Sequence, residues 1–359
     1  MTFVYISGLY MPAFGGAELS MYTLIKELSL MGINFYIITR KSTIANSEYD
    51  TNDTNIAVYR INNKSEIEDV FQRIRNYNKI SGILTQNSWS EIAIKISHKY
   101  NYPLLYFLRS PFGELDISKK GEFYCDFVIA NSLTTQKYIE SKFNRFDSII
   151  IPPLINPNNY TIEFNSKEYI TLINPIQMKG GDIFKKIAQA LPNRKFLAVK
   201  GWSHLMKNNN WDLPLLNDLS SGLGISDNPL FAITEFEEIN NVTVQDSTTN
   251  MKHIYSKTNI LLVPSITPEG GPRVAIEAMI NGIPVIGSKS GNTPLTIGEG
   301  GIVISNLFNI SEWVSSILKF DNAEYYEAIS QKAKFQYKLD VKCQINSFIN
   351  LVKNLNAKN

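Results

Sequence analysis

Two glutamates stand eight residues apart in the second half of the chain, at Glu269 and Glu277. Pro272 lies between them, and proline suits the first position of a helix, where no amide hydrogen is needed. The free amides at such a helix start attract anions. Two glycines in the same stretch let a ligand approach the backbone closely: Gly270 and Gly271.

The spacing of the two carboxylates indicates the size of a ligand. If residues 269–277 were all helical, eight steps of ~1.5 Å would span about 12 Å, the length of a sugar–diphosphate–ribose. A carboxylate at each end, with anion-binding amides between, is a clamp suited to such a molecule. The pattern therefore predicts a site for a nucleotide-linked sugar.

A structural role for Glu277 is an equal alternative. Its sequence neighbours are apolar, so the side chain is expected to be partly buried, and buried glutamates are rare unless they are paired. Arg273 stands four residues earlier, where it can form an ion pair on the same helix face. The sequence alone leaves both ligand binding and core pairing open for this glutamate.

The segments that must position these residues alternate between apolar strands and amphipathic helices. In the first half we predict strands at 2–7, 33–39, 56–61, 81–85, 103–108, 126–130 and 148–151. Helices are predicted between them, the first directly after the turn Gly15-Gly16. This alternation is typical of a mostly parallel sheet with helices on both faces.

A linker is predicted at 151–159, which contains three prolines and three asparagines. A second alternating series follows it, and 359 residues are more than one core usually holds. We therefore predict an α/β protein of two doubly wound, Rossmann-like domains that face each other across a cleft. The predicted parts are domain 1–155, domain 156–335 and a helix in 336–359 that packs back towards the first domain. Residues 201–240 are predicted to be an insertion or a mobile lid.

Five motifs, in their order along the chain, resemble those of family 4 glycosyltransferases, which have the GT-B fold. They are the glycine turn at 15–18, the strand-to-helix segment at 126–132, the lysine segment at 174–180, the two-glutamate segment at 264–277 and the segment at 278–286. Each motif is weak alone. Their order and spacing make the resemblance specific and extend it over nearly the whole chain.

The resemblance implies a retaining, metal-independent transfer of a sugar, such as a hexose. The donor would be a nucleotide diphosphate sugar held by the domain 156–335, and the acceptor would be bound by the domain 1–155. Glu269 would bind hydroxyls of the donor sugar and support an oxocarbenium-like transition state, while Glu277 would hold the ribose hydroxyls. Lys179 and Arg273 would neutralise the leaving diphosphate. The other donor-binding positions that it implies are Gly15, Gly16, Gly270, Gly271 and Asn174.

The chain departs from the family pattern at four positions, one of which is Pro272, where a glycine is commonly found. Asn174 stands where an arginine is often found, and Leu295 where a glutamate is often found. Arg109 stands where many members have a histidine near the reacting sugar; it could bind an acidic acceptor or a phosphate but cannot act as a base. Pairing of Arg109 with Glu114 or Asp116 is the structural alternative.

Composition and charge exclude several other classes. The formal net charge of +2 is too small to indicate a nucleic-acid partner. No apolar stretch reaches the length of about 18 residues that a membrane span needs, and no leader precedes the first strand, so we expect a cytoplasmic protein. Scattered lysines in the last segment leave peripheral contact with the inner membrane face open. The histidines His98, His204 and His253 lack ligand spacing, so no metal and no other cofactor is expected.

We therefore predict a glycosyltransferase whose partners are a nucleotide diphosphate sugar and a glycan or glycolipid acceptor. The resemblance places it among bacterial transferases of surface-polysaccharide biosynthesis. Two other functions remain open: a non-catalytic nucleotide-sugar-binding subunit and a sugar-nucleotide epimerase of the same fold. A dehydrogenase is disfavoured because no Gly-x-Gly-x-x-Gly follows the first strand.

Overall fold

The computed structural model describes residues 1–12, 15–41, 49–53, 55–111, 115–201, 229–337 and 341–356. The chain divides into two compact α/β units, the first ending at Leu154. The described parts of the first unit lie within 1–154 and 341–356, and those of the second within 155–201 and 229–337. Most of the segment 201–240, predicted to be an insertion or a mobile lid, falls outside the described residues.

The first unit is built on an eight-stranded sheet in the order β3-β4-β2-β1-β5-β6-β7-β8. All neighbouring strands are parallel except β3 and β4, which are antiparallel. The strands are β1 (Thr2–Ile6), β2 (Asn34–Arg40), β3 (Tyr49–Asp53), β4 (Ile56–Ile61), β5 (Gly82–Gln86), β6 (Leu104–Leu108), β7 (Phe127–Ala130) and β8 (Ile149–Ile150).

Both faces of this sheet are covered. Because side chains alternate along a strand, Phe3 and Tyr5 of β1 pack into one apolar cluster while Val4 and Ile6 pack into another. The helices of the first four βα units are α1 (Gly16–Leu30), α2 (Ile67–Tyr77), α3 (Ser90–Tyr100) and α4 (Leu133–Phe143).

The C-terminal helix belongs to the first unit. It is numbered α11 and spans Val341–Asn356. Its Phe348 is fully buried and stacks on Phe107 of β6, with ring centroids 6.2 Å apart. The apolar face of this helix therefore completes the cluster that contains Phe3 and Tyr5.

The second unit is built on a six-stranded parallel sheet in the order β11-β10-β9-β12-β13-β14. Its strands are β9 (Tyr169–Ile173), β10 (Phe196–Val199), β11 (Val242–Gln245), β12 (Thr258–Val263), β13 (Val285–Ser288) and β14 (Gly301–Ile304). Its helices are α5 (Gly181–Ala190), α6 (Met251–Tyr255), α7 (Arg273–Ile280), α8 (Thr293–Ile297), α9 (Ile310–Leu318) and α10 (Ala323–Gln336). Alternate residues of β12 again pack into two different clusters.

Among the parallel strands, the strand order reverses once in each sheet, between β1 and β5 in the first unit and between β9 and β12 in the second. Open parallel sheets bind ligands outside the carboxyl ends of their strands at such a reversal. The two reversals are therefore the first places to look for functional residues. Within the described residues, no helix has the length and apolarity required to cross a membrane.

Candidate active site

Lys179 and Glu269 lie at the strand-order reversal of the second unit. Lys179 ends a short 3₁₀ turn, Gln177–Lys179, that follows β9. Glu269 lies in the connection between β12 and α7. Because β9 and β12 are adjacent and parallel, both side chains are brought to the same edge of the sheet, although 90 residues separate them.

The two side chains are in direct contact. Lys179 Nζ lies 2.5 Å from Glu269 Oε1, and the Ser265 hydroxyl donates to the same oxygen at 2.6 Å. Ser265 is buried, whereas the Lys179 side chain is 27% exposed and that of Glu269 13%. The buried Ser265 hydroxyl thus fixes the Lys179–Glu269 pair, and both charged side chains remain partly exposed and can contact a small molecule.

The Lys179 turn packs directly on the backbone that leads to Glu269. Gly180 ends the turn in the left-handed region, at φ +77°, and a Cβ there would lie 2.1 Å from the Pro264 carbonyl oxygen. The Ile266 amide donates to the Met178 carbonyl at 2.9 Å. Only glycine allows this approach, so the turn that carries Lys179 depends on a glycine at position 180.

A third strand fixes the backbone of Glu269 from the other side. Glu269 pairs with Gly291, just beyond β13, and the Asn292 amide donates to the Glu269 carbonyl at 2.8 Å. Gly291 has φ +59°, and a Cβ there would lie 2.3 Å from the Glu269 carbonyl oxygen. The main chain from Pro264 to Glu269 is therefore held by a glycine-dependent contact at each end, Gly180 at Pro264 and Gly291 at Glu269.

The helix after Glu269 begins later than the sequence indicates. Pro272 is the extended residue before α7, with φ −69° and ψ 99°, and Arg273 is the first helical residue. The prediction that Pro272 occupies the first helical position is wrong by one residue. The backbone from Glu269 through Gly270 and Gly271 is not helical, so the 12 Å helical spacing of the two glutamates does not apply.

Arg273 and Glu277 form a buried ion pair. Arg273 Nε donates to Glu277 Oε1 at 2.8 Å, and the Tyr255 hydroxyl donates to Glu277 Oε2 at 2.8 Å. Arg273 Nη2 donates to the Tyr160 hydroxyl at 2.9 Å. Arg273 is 8% exposed and Glu277 3%. The ion pair that was the structural alternative for Glu277 is thus formed in the fold. The roles of Arg273 and Glu277 in donor binding stay predictions.

Burial dominates the electrostatics of this pair. Loss of solvent raises the pKa of the Glu277 carboxyl, while Arg273 and the Tyr255 hydroxyl oppose that rise. Burial and the neighbouring Glu277 carboxylate raise the pKa of the Tyr255 phenol. The arginine is therefore the group that permits a carboxylate to be ionised at this position.

The other predicted site residues are distributed over both units. Asn174 follows β9 with φ +61°; its side chain is buried, and its Oδ1 has no hydrogen-bond partner among the described residues. Gly15 precedes α1, and Gly16 is the first residue of that helix. Arg109 follows β6 and donates from Nε to Gln86 Oε1 at 2.6 Å. Glu114, one predicted partner of Arg109, lies outside the described residues.

The sequence did not single out Ser265, Tyr160 and Tyr255 as members of these clusters. Ser265 stands four residues before Glu269, a spacing that carries no signal in an irregular loop. Tyr160 is 113 residues from Arg273, so only the fold brings them together. In the part of the chain that the structure describes, no three His, Cys, Asp or Glu side chains cluster as metal ligands would.

Comparison with known proteins identifies a related segment in the second half of the chain. Residues 222–336 match the family described as glycosyl transferases group 1. A Haemophilus influenzae protein described as an uncharacterized glycosyltransferase is 24% identical over 215 residues, which cover 58% of this chain and 56% of that protein. The match thus spans little more than half the length of that relative.

Solved structures with the same fold match over the whole chain. Sucrose-phosphate synthase from Thermosynechococcus elongatus superposes with a TM-score of 0.75 at 18% identity, covering 100% of both chains. Anabaena HepE, solved with UDP and glucose, superposes with a TM-score of 0.72 at 15% identity, covering 99% of this chain and 100% of that one. The predicted fold class, two Rossmann-like α/β domains of the GT-B class, is confirmed.

Proposed function

We propose that this protein is a retaining glycosyltransferase that moves a sugar from a nucleotide diphosphate sugar to an acceptor. The observation that carries the proposal is the Lys179–Glu269 contact at the strand-order reversal of the second unit. This unit contains most of the segment that matches group 1 glycosyltransferases. A structural relative was solved with UDP and glucose, which supports a nucleotide-sugar donor here.

Lys179 supplies the positive charge for the leaving diphosphate. As the glycosidic bond breaks, negative charge accumulates on the diphosphate, and a cation fixed beforehand stabilises that state more than the ground state. Glu269 and the short turn hold the ammonium in place, and Gly180 brings the turn against the Pro264 carbonyl. The amides at the start of α5, which follows directly, add donors of the kind that bind phosphate.

Glu269 faces the sugar in this proposal. One of its carboxylate oxygens is occupied by Lys179 and Ser265, and a carboxylate has about four acceptor positions in all. The remaining positions accept hydroxyl groups of the donor sugar and stabilise an oxocarbenium-like centre. The backbone amides of Gly270 and Gly271, which directly follow Glu269, are further candidates for donor contacts.

Arg273 acts through Glu277 rather than on the diphosphate. Its guanidinium is engaged by Glu277 and Tyr160 inside the unit. A carboxylate held in this way keeps acceptor positions for ribose hydroxyls. We further propose that the acceptor is a bacterial surface glycan or glycolipid, met at the inner membrane face without added metal.

A non-catalytic nucleotide-sugar-binding subunit is the second candidate. The observations that favour it are Asn174, a buried amide where an arginine cation is often found, and Leu295, a 59% exposed apolar residue where a carboxylate is often found. Such a subunit would bind the donor without breaking it. A sugar-nucleotide epimerase would convert the donor without passing the sugar to an acceptor.

A ligand screen tests the donor proposal. We expect at least one of UDP, ADP, GDP, CDP or dTDP to raise the melting temperature in buffer with EDTA, because a ligand that binds only the folded state stabilises it. Incubation with the corresponding nucleotide sugars should then release the nucleoside diphosphate, slowly with water alone and faster with an acceptor.

The outcomes separate the candidates. Release of nucleoside diphosphate supports the transferase, and binding without release supports the non-catalytic subunit. An altered sugar on the recovered donor would indicate the epimerase. No shift with any nucleotide, with or without Mg²⁺, would remove the donor site from the second unit.

A further inference from the structure

Two buried serines connect the end of β13 with the Glu269 carboxylate. Ser265 follows β12, Ser288 is the last residue of β13, and each is 1% exposed. The Ser288 hydroxyl donates to the Ser265 carbonyl at 2.7 Å, and the Ser265 hydroxyl donates to Glu269 Oε1 at 2.6 Å. Because β12 and β13 are adjacent and parallel, their carboxyl ends bring these residues together at one edge of the sheet.

The main chain at Ser265 is fixed from two sides. On one side, its carbonyl accepts the Ser288 hydroxyl. On the other side, the amide of the next residue, Ile266, donates to the Met178 carbonyl in the turn that carries Lys179. Neighbouring segments therefore determine where the Ser265 side chain starts, and its burial shields the hydroxyl from competing water.

The two donors to Glu269 Oε1 differ in their freedom to move. Lys179 is 27% exposed, and its ammonium carries three donors on a flexible stem, so a bound diphosphate can draw it away from the carboxylate. The Ser265 hydroxyl is buried on a short side chain and has no such freedom. Ser265 is therefore the donor that still holds Oε1 when Lys179 turns to a ligand.

The second oxygen of the Glu269 carboxylate is left for another partner. Among the residues that the structure describes, none donates a hydrogen bond to Oε2, and the side chain is 13% exposed. The Glu269 main chain is held by its pairing with Gly291 and by the Asn292 amide. With the main chain and Oε1 both held, the direction of Oε2 is set as well.

We propose that Ser265 is a positioning residue for sugar transfer and that Ser288 acts through it. The Ser265 hydroxyl commits Oε1 of Glu269 to the protein and so presents Oε2 to the donor sugar. A carboxylate that is oriented before the sugar binds stabilises the transition state without reorganisation. The proposal rests on the transferase function proposed above, because it assigns how Glu269 meets its substrate.

Turnover and ligand binding by Ser265→Ala test this role. We expect kcat for nucleoside diphosphate release to fall about tenfold, because the loss of a hydrogen bond to a charged group lets the Glu269 carboxylate rotate. Calorimetric titration should find the affinity for the nucleoside diphosphate unchanged, because Lys179 is retained. Ser265→Thr, which keeps the hydroxyl, should recover most of kcat. A merely structural role would not separate kcat from ligand affinity in this way.

Double variants show through which residue Ser265 acts. In Glu269→Ala the carboxylate is absent, so adding Ser265→Ala should not lower kcat further. Ser288→Ala should lower kcat less than Ser265→Ala does, and should have no further effect when it is added to Ser265→Ala. The matched control is Ser97→Ala, because Ser97 is a buried serine of α3 whose hydroxyl donates to the Ile94 carbonyl at 2.8 Å. We expect it to leave kcat unchanged, and melting temperatures identify any variant that fails to fold.

Three results would overturn the proposal. The first is wild-type kcat in folded Ser265→Ala, and the second is a loss of nucleoside diphosphate affinity as large as the loss of kcat. The third is an equal loss of kcat in the Glu269→Ala background, which would show that Ser265 acts elsewhere. A wild-type chain that releases no nucleoside diphosphate contradicts the transferase and this role with it. Wild-type turnover together with any of the three results contradicts only the role of Ser265.

Discussion

Glu269→Gln should lower kcat/KM for transfer by a factor of about 10²–10³, the range seen when one preorganised transition-state contact is removed. The glutamine keeps the size of the side chain and can still accept the Ser265 hydroxyl, now 2.6 Å from Glu269 Oε1. What it loses is the negative charge that faces the developing positive charge of the sugar and holds the Lys179 ammonium. The rate of nucleoside diphosphate release, with and without acceptor, measures the effect.

The matched control is Glu299→Gln, because the Glu299 side chain is 79% exposed and contacts only Lys332 at 3.7 Å among the ion pairs described. We expect it to leave kcat/KM unchanged. Both variants should unfold near the wild-type temperature. Wild-type turnover in folded Glu269→Gln would show that this carboxylate takes no part in the reaction.

Arg273→Met should lower the free energy of unfolding by about 3–5 kcal/mol, because it leaves a buried carboxylate without its cation. Glu277 is 3% exposed and would retain only neutral hydroxyl partners, those of Tyr255 and Tyr160. Urea unfolding at constant pH measures the loss. Lys332→Met removes the cation of an exposed pair instead, and we expect a much smaller loss because solvent screens such pairs.

The loss should depend on pH in a defined direction. Burial raises the pKa of Glu277 in the folded protein above its unfolded value, and removal of Arg273 raises it further. A group of this kind favours folding below its unfolded pKa, about 4.3 for glutamate, and that contribution disappears as the pH rises through the folded pKa. The destabilisation by Arg273→Met should therefore be largest near pH 7–8 and shrink towards pH 4–5.

The double variant Arg273→Met/Glu277→Gln separates a buried charge from lost packing. With both charges gone, most of the stability should return and its dependence on pH between 5 and 8 should weaken. If the double variant is as unstable as Arg273→Met alone at every pH, the arginine contributes packing rather than charge compensation.

The alternation of strands and helices could be predicted from the sequence, because buried parallel strands are short apolar runs. The runs at 2–7 and 56–61 predicted β1 and β4 to within one residue at each end. Strands with less apolar content were not predicted. β11 contains the exposed Val244, and β14 is only partly buried over Gly301–Val303, so neither has the continuous apolar pattern that marks a central strand.

The ends of helices were harder to predict from the sequence than the helices themselves. The sequence placed a helix in 336–359, whereas the structure ends α10 at Gln336 and begins α11 at Val341. The two helices pack into different units. The start of α7 likewise lies one residue later than predicted. Glycines at 270–271 permit several backbone conformations, and contacts of Glu269 with Gly291 and Asn292 select one of them.

The charged residues of the candidate site could be predicted from the sequence, because their side chains indicate a chemical role. Their partners from distant segments could not, because only the fold brings those segments together. Glu269 and Lys179 were named from the sequence, and their contact required only that β9 and β12 be neighbours. The pairing of Arg273 with Glu277 followed from their four-residue spacing. The contributions of Tyr160, Tyr255 and Ser265 depend on contacts between segments remote in sequence or irregular in backbone, for which no local pattern exists.

The most direct test of the donor site is calorimetric titration of the preferred nucleoside diphosphate into the wild-type chain and into Lys179→Met. Lys179 is the cation that contacts Glu269 at the strand-order reversal, so its loss should weaken diphosphate binding about tenfold or more. Lys186→Met, on the exposed side of α5, should bind like the wild type. Equal affinity of the wild type and a folded Lys179→Met would contradict the assignment of this edge of the second unit as the site that grips the donor.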